Sequence, residues 1–181
     1  MKKLVDFLKN ILLIVELIFV IAFIHREKIL FVGVVALDQF SKAMVMKSMV
    51  PGESIPIVQN FFHLTYVLNP GAAFGILSNQ RMFLLITGAA LILATVYFYP
   101  LLKKSDAFLK FGATSILSGA VANLIDRVQT GYVVDFFDFR IWPVFNVADI
   151  AIVVGMGFMI YAILFRLDNE EVSKVESVRQ S

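Results

Sequence analysis

The 181 residues contain no cysteine, one tryptophan, two histidines and five prolines, and only 17% of them are charged. Each shortage removes a class of chemistry. Without thiols there is no disulfide, no thiolate nucleophile and no cysteine metal site, whichever redox compartment the chain occupies. His25 and His63 offer no HExxH helix, no pair of imidazoles for zinc and no evident base for a serine. Ser41 and Ser118 lie in apolar runs, where small residues serve helix packing. A net charge of +2 is too small to suggest nucleic acid, and the sixteen Lys and Arg gather at the ends of apolar runs instead of forming a stripe. Gly71, Gly75 and Gly119 suit close backbone approach and have no phosphate-binding pattern around them.

What the chain does have is apolar length. It is 59% hydrophobic with a mean hydropathy of +0.83, more than one water-soluble core of this size could hide. A transmembrane helix needs roughly 20 apolar residues, because a rise of about 1.5 Å each must cross about 30 Å of hydrocarbon. Runs at 28–46, 82–102, 107–124 and 147–165 meet that length. Arg26 and Lys28 open the first, Lys103 and Lys104 follow the second, Lys110 opens the third and Arg166 closes the fourth. The positive-inside rule therefore predicts both termini in the cytoplasm and the loops at 47–81 and 127–146 outside.

A fifth apolar run, 7–24, carries Lys9, Asn10 and Glu16. Spanning would place Lys2, Lys3 and Lys9 outside, so a helix lying at the cytoplasmic interface is expected. No small-x-small site precedes the charged cluster at 25–28, which argues against a removed leader. The organisation expected is an N-terminal extension at 1–27, a four-helix membrane domain at 28–166 and a polar cytoplasmic tail at 167–181. No internal repeat is visible. Pro51-Gly52 followed by Ile55, Ile57, Phe61, Leu64, Tyr66 and Val67 predicts strands, as does Val133, Val134, Phe136, Phe137 and Phe139 after Gly131. A small sheet resting on the bilayer would pair these backbones, which an interface does not let go unpaired cheaply.

Charged groups within apolar spans cost at least about 2.5 kcal/mol at a helix centre, so each needs a reason. Asp38 and Lys42, four apart, read as a one-turn ion pair. Asp126 and Arg127 close the third span, the aspartate as a structural group and the arginine as a donor to substrate carbonyls or lipid phosphate. Asp135 has no basic residue close in sequence before Arg140, and its alternation phase points it away from Val134 and Phe136. Asp149, taken alone, reads as a favourable acid in a first helical turn capped by Asn146. Together, two carboxylates in a partly dry site cannot both ionise comfortably, and such a pair can hydrolyse an amide by acid–base catalysis. Membrane carboxylates also relay protons in transporters, and a loop sheet can serve a scaffold, so those classes stay open. Phe136, Phe137 and Phe145 read as interface anchors.

Five motifs occur in order over about residues 37–151: Asp38-Gln39-Phe40-Ser41-Lys42, Asn69-Pro70-Gly71-Ala72-Ala73-Phe74-Gly75, Asn123-Leu124-Ile125-Asp126-Arg127, Val133-Val134-Asp135-Phe136 and Phe145-Asn146-Val147-Ala148-Asp149. In these the chain closely resembles the lipoprotein signal peptidases, the type II signal peptidases of bacteria. The resemblance implies an intramembrane aspartyl protease, mainly α, with a four-transmembrane-helix bundle, a small extracytoplasmic β-cradle and a short extracytoplasmic helix. It implies Asp135 and Asp149 as the catalytic dyad, and the choice of Asp135 over Asp126 as the partner of Asp149 rests on it. It further implies Asn69, Asn123, Arg127 and Asn146 lining the substrate site, Asp38, Lys42 and Asp126 in support, and no metal or other cofactor. The implied substrates are diacylglyceryl-modified prolipoproteins, cut just before the modified cysteine at the outer face of the bacterial cytoplasmic membrane. Membrane lipid and the cyclic peptide globomycin are the other implied partners. The chain departs from the family at Ser118 and Ala122, where glycines are usual, and in its extended N-terminus.

Overall fold

A computed structural model describes residues 25–71, 80–102 and 106–167. The interfacial helix expected at 7–24 and the tail expected after residue 167 lie outside the described residues. The elements run α1 (Arg26–Ser48), β1 (Ser54–Val58), β2 (Phe62–Asn69), α2 (Arg81–Leu102), α3 (Ala107–Gln129), β3 (Val133–Asp138) and α4 (Val147–Ala162), whose last turn widens to a π-helix at Ile163–Leu167. Four of these helices are long and apolar enough to cross a membrane. All four meet the sheet at one end, since α1 and α3 lead into strands while α2 and α4 follow them. No short separate helix occurs among the described loop residues.

Helix α3 runs five residues beyond the 124 expected from hydropathy. Asn123, Asp126 and Arg127 lower the apolar count of its last turns, yet Asn123 and Asp126 are buried against other helices, so polarity marks an internal face instead of a helix end. α3 packs against α1, α2 and α4, and its face is built from small residues. A side chain at Gly119 would collide with the carbonyl of Ala148, and one at Gly112 would stand 2.7 Å from the carbonyl of Gly155. Ser118 and Ala122 are fully buried in this face, so their small bulk is accommodated where family members usually have glycine.

The strands form one antiparallel sheet in the order β1-β2-β3. Val45 and Met49 of α1 pack with Tyr66, Val134 and Phe136, fastening the sheet to the bundle. Phe136 is therefore a core residue, only 3% exposed, and not the interface anchor expected. Val134 and Phe136 face this core while Asp135 faces away from it, as alternation predicts. The register slips between Leu64 and Val67, a bulge that bends β2 beside Asp135. The antiparallel pairing also places Ser54 Oγ 3.1 Å from His63 Nδ1, a contact the sequence does not suggest. Asp138 on the neighbouring strand bonds Thr65 and Arg140, not that imidazole, and the pair is an exposed cross-strand contact.

Candidate active site

Two carboxylates meet where the sheet joins the bundle. Asp135 on β3 is 2% exposed and accepts hydrogen bonds from Asn146 Nδ2 at 2.7 Å and Asn69 Nδ2 at 2.9 Å. Asp149, in the first turn of α4, accepts from Asn123 Nδ2 at 2.8 Å and from the Asn146 main-chain N–H at 3.2 Å. Asn146 thus touches both acids. As the N-cap of α4 it also accepts from the Asp149 N–H, completing a capping box, so the bland explanation of Asp149 is true but incomplete. Asn146 Nδ2 further donates to Asn123 Oδ1 at 3.1 Å, closing a ring through Asn123 and Asp149.

Among the described residues neither Asp135 nor Asp149 has a cation within ion-pair distance. Burial, and secondarily the charge of Asp149, push Asp135 up to about 7, against the opposing effect of its two amide donors. A carboxyl group so placed changes protonation near neutrality, which acid–base catalysis requires.

Behind this pair lies a second, fully occupied charge cluster. Lys42 Nζ sits 2.7 Å from Asp38 Oδ2 and 2.7 Å from Asp126 Oδ2, and donates to Asn123 Oδ1 at 2.9 Å. The one-turn pair read from sequence therefore extends to a third residue on α3. Asp38 Oδ1 in turn accepts the Ala148 N–H, one of the orphan donors that open α4. Gln39, to which sequence reasoning gave no role, donates to Asp126 Oδ1 at 2.8 Å. Asp126 is thus committed to Lys42 and Gln39, whereas Asp135 is held by amides alone.

Arg127 Nη2 donates to the Gly71 carbonyl at 2.9 Å, and the Gly71 N–H donates to Asn69 Oδ1 at 2.9 Å. The Arg127 Nε is buried without a hydrogen-bond partner among the described residues, a donor left over beside the acids. A cavity of about 510 Å³ opens on Asn69, Asn123, Arg127, Asp135 and Asp149, and its other wall is apolar, with Trp142, Val144, Ile152 and Val153. A groove of about 390 Å³ between Leu84, Thr87, Gly88 and Leu91 of α2 and Ala120 and Leu124 of α3 shares Asn123, Arg127 and Asp149 with it. All nine site residues marked in the sequence fall in this one connected network.

The family model for signal peptidase (SPase) II matches residues 30–165. The chain belongs to the signal peptidase II family. A lipoprotein signal peptidase of Moorella thermoacetica is 48% identical over 133 residues, which are 72% of this chain and 87% of that one. One from Clostridioides difficile is 48% identical over 135 residues, 72% of this chain and 89% of its own. A solved bacterial membrane enzyme, determined by the in meso method at 2.3 Å resolution, superposes with a TM-score of 0.75 at 35% identity, covering 81% of this chain and 92% of that one. The protein is therefore a signal peptidase, a hydrolase of peptide bonds, built as a multi-pass membrane protein.

Proposed function

We propose that the chain removes signal peptides from prolipoproteins, cutting immediately before a diacylglyceryl-modified cysteine with Asp135 and Asp149 as an acid–base pair. The observation that carries this reading is the geometry of those two carboxylates, Asp135 buried and Asp149 half-buried, joined through Asn146 and held only by amides. Asp135 is the member that holds a proton near neutrality, so it donates that proton to the scissile carbonyl oxygen and recovers it when the tetrahedral intermediate collapses. Asp149 takes the proton of the attacking water and gives it to the departing nitrogen. Arg127, with its Nε–H, and Asn69 hold the extended substrate backbone. Asn123 fixes Asp149, and Asn146, expected in the substrate site but fully buried with its amide bonded to Asp135, Asn123 and the Asp149 N–H, fixes both acids. Asp38, Lys42 and Asp126 keep the start of α4 and the end of α3 in register beneath the pair. The apolar groove between α2 and α3 suits the acyl chains of a lipidated substrate arriving sideways through the bilayer.

The same reading places the protein in the bacterial cytoplasmic membrane with both termini inside and the sheet end outward, because Arg26 and Lys110 lie at the opposite end of the bundle. The test is direct. The detergent-purified chain, given a diacylglyceryl-modified lipobox peptide, should release a product whose first residue is the modified cysteine, and globomycin should block the reaction. The unmodified peptide should not be cut. Absence of cleavage of the lipidated peptide contradicts the reading.

A pH dependence follows from the protonated role of Asp135. Its proton is present below about 7 and lost above it, so kcat/KM should fall as pH rises through about 7. A profile flat from pH 6 to roughly 9, two units beyond that value, would rule out Asp135 as the donor.

A further inference from the structure

Helix α3 ends beside the site, and its last turn is held by a side chain from another helix. Arg81, the first residue of α2, donates from Nη2 to the carbonyl of Arg127 at 3.0 Å and to that of Val128 at 3.2 Å. The Gly131 N–H bonds the same Arg127 carbonyl at 3.1 Å, and Gly131 has φ +86°, the left-handed conformation of a helix-terminating glycine. A Cβ at Gly131 would stand 3.2–3.4 Å from Nη1, Cζ and Nε of Arg81, so the guanidinium lies flat against the bare glycine.

From this we infer that Arg81 is a positioning residue for the cleavage reaction, setting Arg127 and through it Asn69 against the catalytic pair. The inference rests on the aspartyl reading above. The path is continuous. Arg81 holds the main chain of Arg127, the Arg127 side chain holds the Gly71 carbonyl, the Gly71 N–H holds Asn69 Oδ1, and Asn69 Nδ2 holds Asp135 Oδ2. Gly71 and Arg81 are thereby fastened to the same turn of α3. An ordinary helix cap accounts for the bonds to Arg127 and Val128 but not for the line of bonds that continues to a carboxylate.

Loosening this path has two consequences that a loss of folded protein does not share. Arg127 and Asn69 would hold the substrate backbone less well, raising KM. Asn69 would also hold Asp135 less well, and since its bond favours the charged form, losing it moves the Asp135 titration to higher pH. The other groups facing Asp135 are Asp149 on α4, Lys42 on α1, Asn146 at the α4 N-cap and the Arg127 guanidinium itself. Arg127 Nη1 also donates to the Asn123 carbonyl at 3.3 Å, and any retreat of its positive charge moves the Asp135 titration in the same upward direction.

The experiment is steady-state cleavage of the diacylglyceryl lipobox peptide by the full chain in detergent, from pH 5 to roughly 9, for wild type, Arg81→Ala, Arg81→Lys and Asp135→Asn. For Arg81→Ala we expect KM to rise about 5-fold or more and the falling limb to move upward, with the melting temperature little changed because Arg81 is exposed. Arg81→Lys keeps a donor and should recover part of both effects, and it stands in if the alanine variant does not fold. If KM or the limb stays at its wild-type value in both variants, the positioning role is overturned. Activity retained by Asp135→Asn would instead overturn the aspartyl reading itself.

Discussion

Lys42→Met is expected to destabilise the protein by about 3–5 kcal/mol, the usual consequence of removing one partner from a buried ion cluster. Asp38 is fully buried, Lys42 is 1% exposed and Asp126 is 7% exposed, so neither carboxylate can turn to water when the ammonium is gone. Asp38 Oδ1 would keep the Ala148 N–H and Asp126 Oδ1 would keep Gln39, but the other oxygen of each acid would lose its 2.7 Å ammonium and retain only a long bond, from Gln39 Nε2 at 3.3 Å to Asp38 Oδ2 and from the Val134 N–H at 3.4 Å to Asp126 Oδ2. Asn123 would also lose the donor at its Oδ1 that comes from Lys42. The shift is large enough to read as a fall of about 10 °C in the melting temperature measured in detergent. Neutralising Asp126 as well, in Lys42→Met/Asp126→Asn, should return part of the loss, because a vacant partner costs more than an absent pair. A single variant within about 1 kcal/mol of wild type would mean that the cluster is not the buttress described.

The large-scale architecture was legible because lipid imposes length. Runs such as 82–102 and 147–165 have no alternative explanation, and the helices Arg81–Leu102 and Val147–Ala162 follow them closely. The end of α3 was misplaced because hydropathy treats Asn123, Asp126 and Arg127 as solvent-facing, whereas their partners come from α1, α4 and Gly71. Strands were recognisable from β-branched and aromatic residues, but their register was not, and so Ser54 beside His63 and the buried Phe136 appear only in three dimensions.

The site was legible as a set of candidates and not as an arrangement. Sequence could mark Asp126, Asp135 and Asp149 as unexplained acids, but only the packing shows that Asp126 already has Lys42 while Asp135 has amides. Asn146 was visible as a helix cap, and nothing in its spacing announces that its Nδ2 reaches Asp135 across eleven residues. Gln39 and Arg81 carry little local signal, since their closest acceptors lie on α3.

The second large effect concerns the acids themselves. Asp135→Asn and Asp149→Asn preserve shape and one of the two accepted hydrogen bonds at each acid while removing the ability to take or give a proton, so each should lower kcat by at least about 10³-fold. The competing explanation of Asp149, an acid that merely favours a helix N-terminus, predicts a stability loss of about 0.3–1 kcal/mol and normal turnover. Asp138, on the same strand but bonded to Thr65 and Arg140, supplies the control, and Asp138→Asn should remain active. The deciding measurement is the rate at which these three purified variants release signal peptide from a diacylglyceryl-modified lipobox substrate. Loss of cleavage in Asp135→Asn and Asp149→Asn alone is the predicted result, and full cleavage by either of them contradicts the dyad.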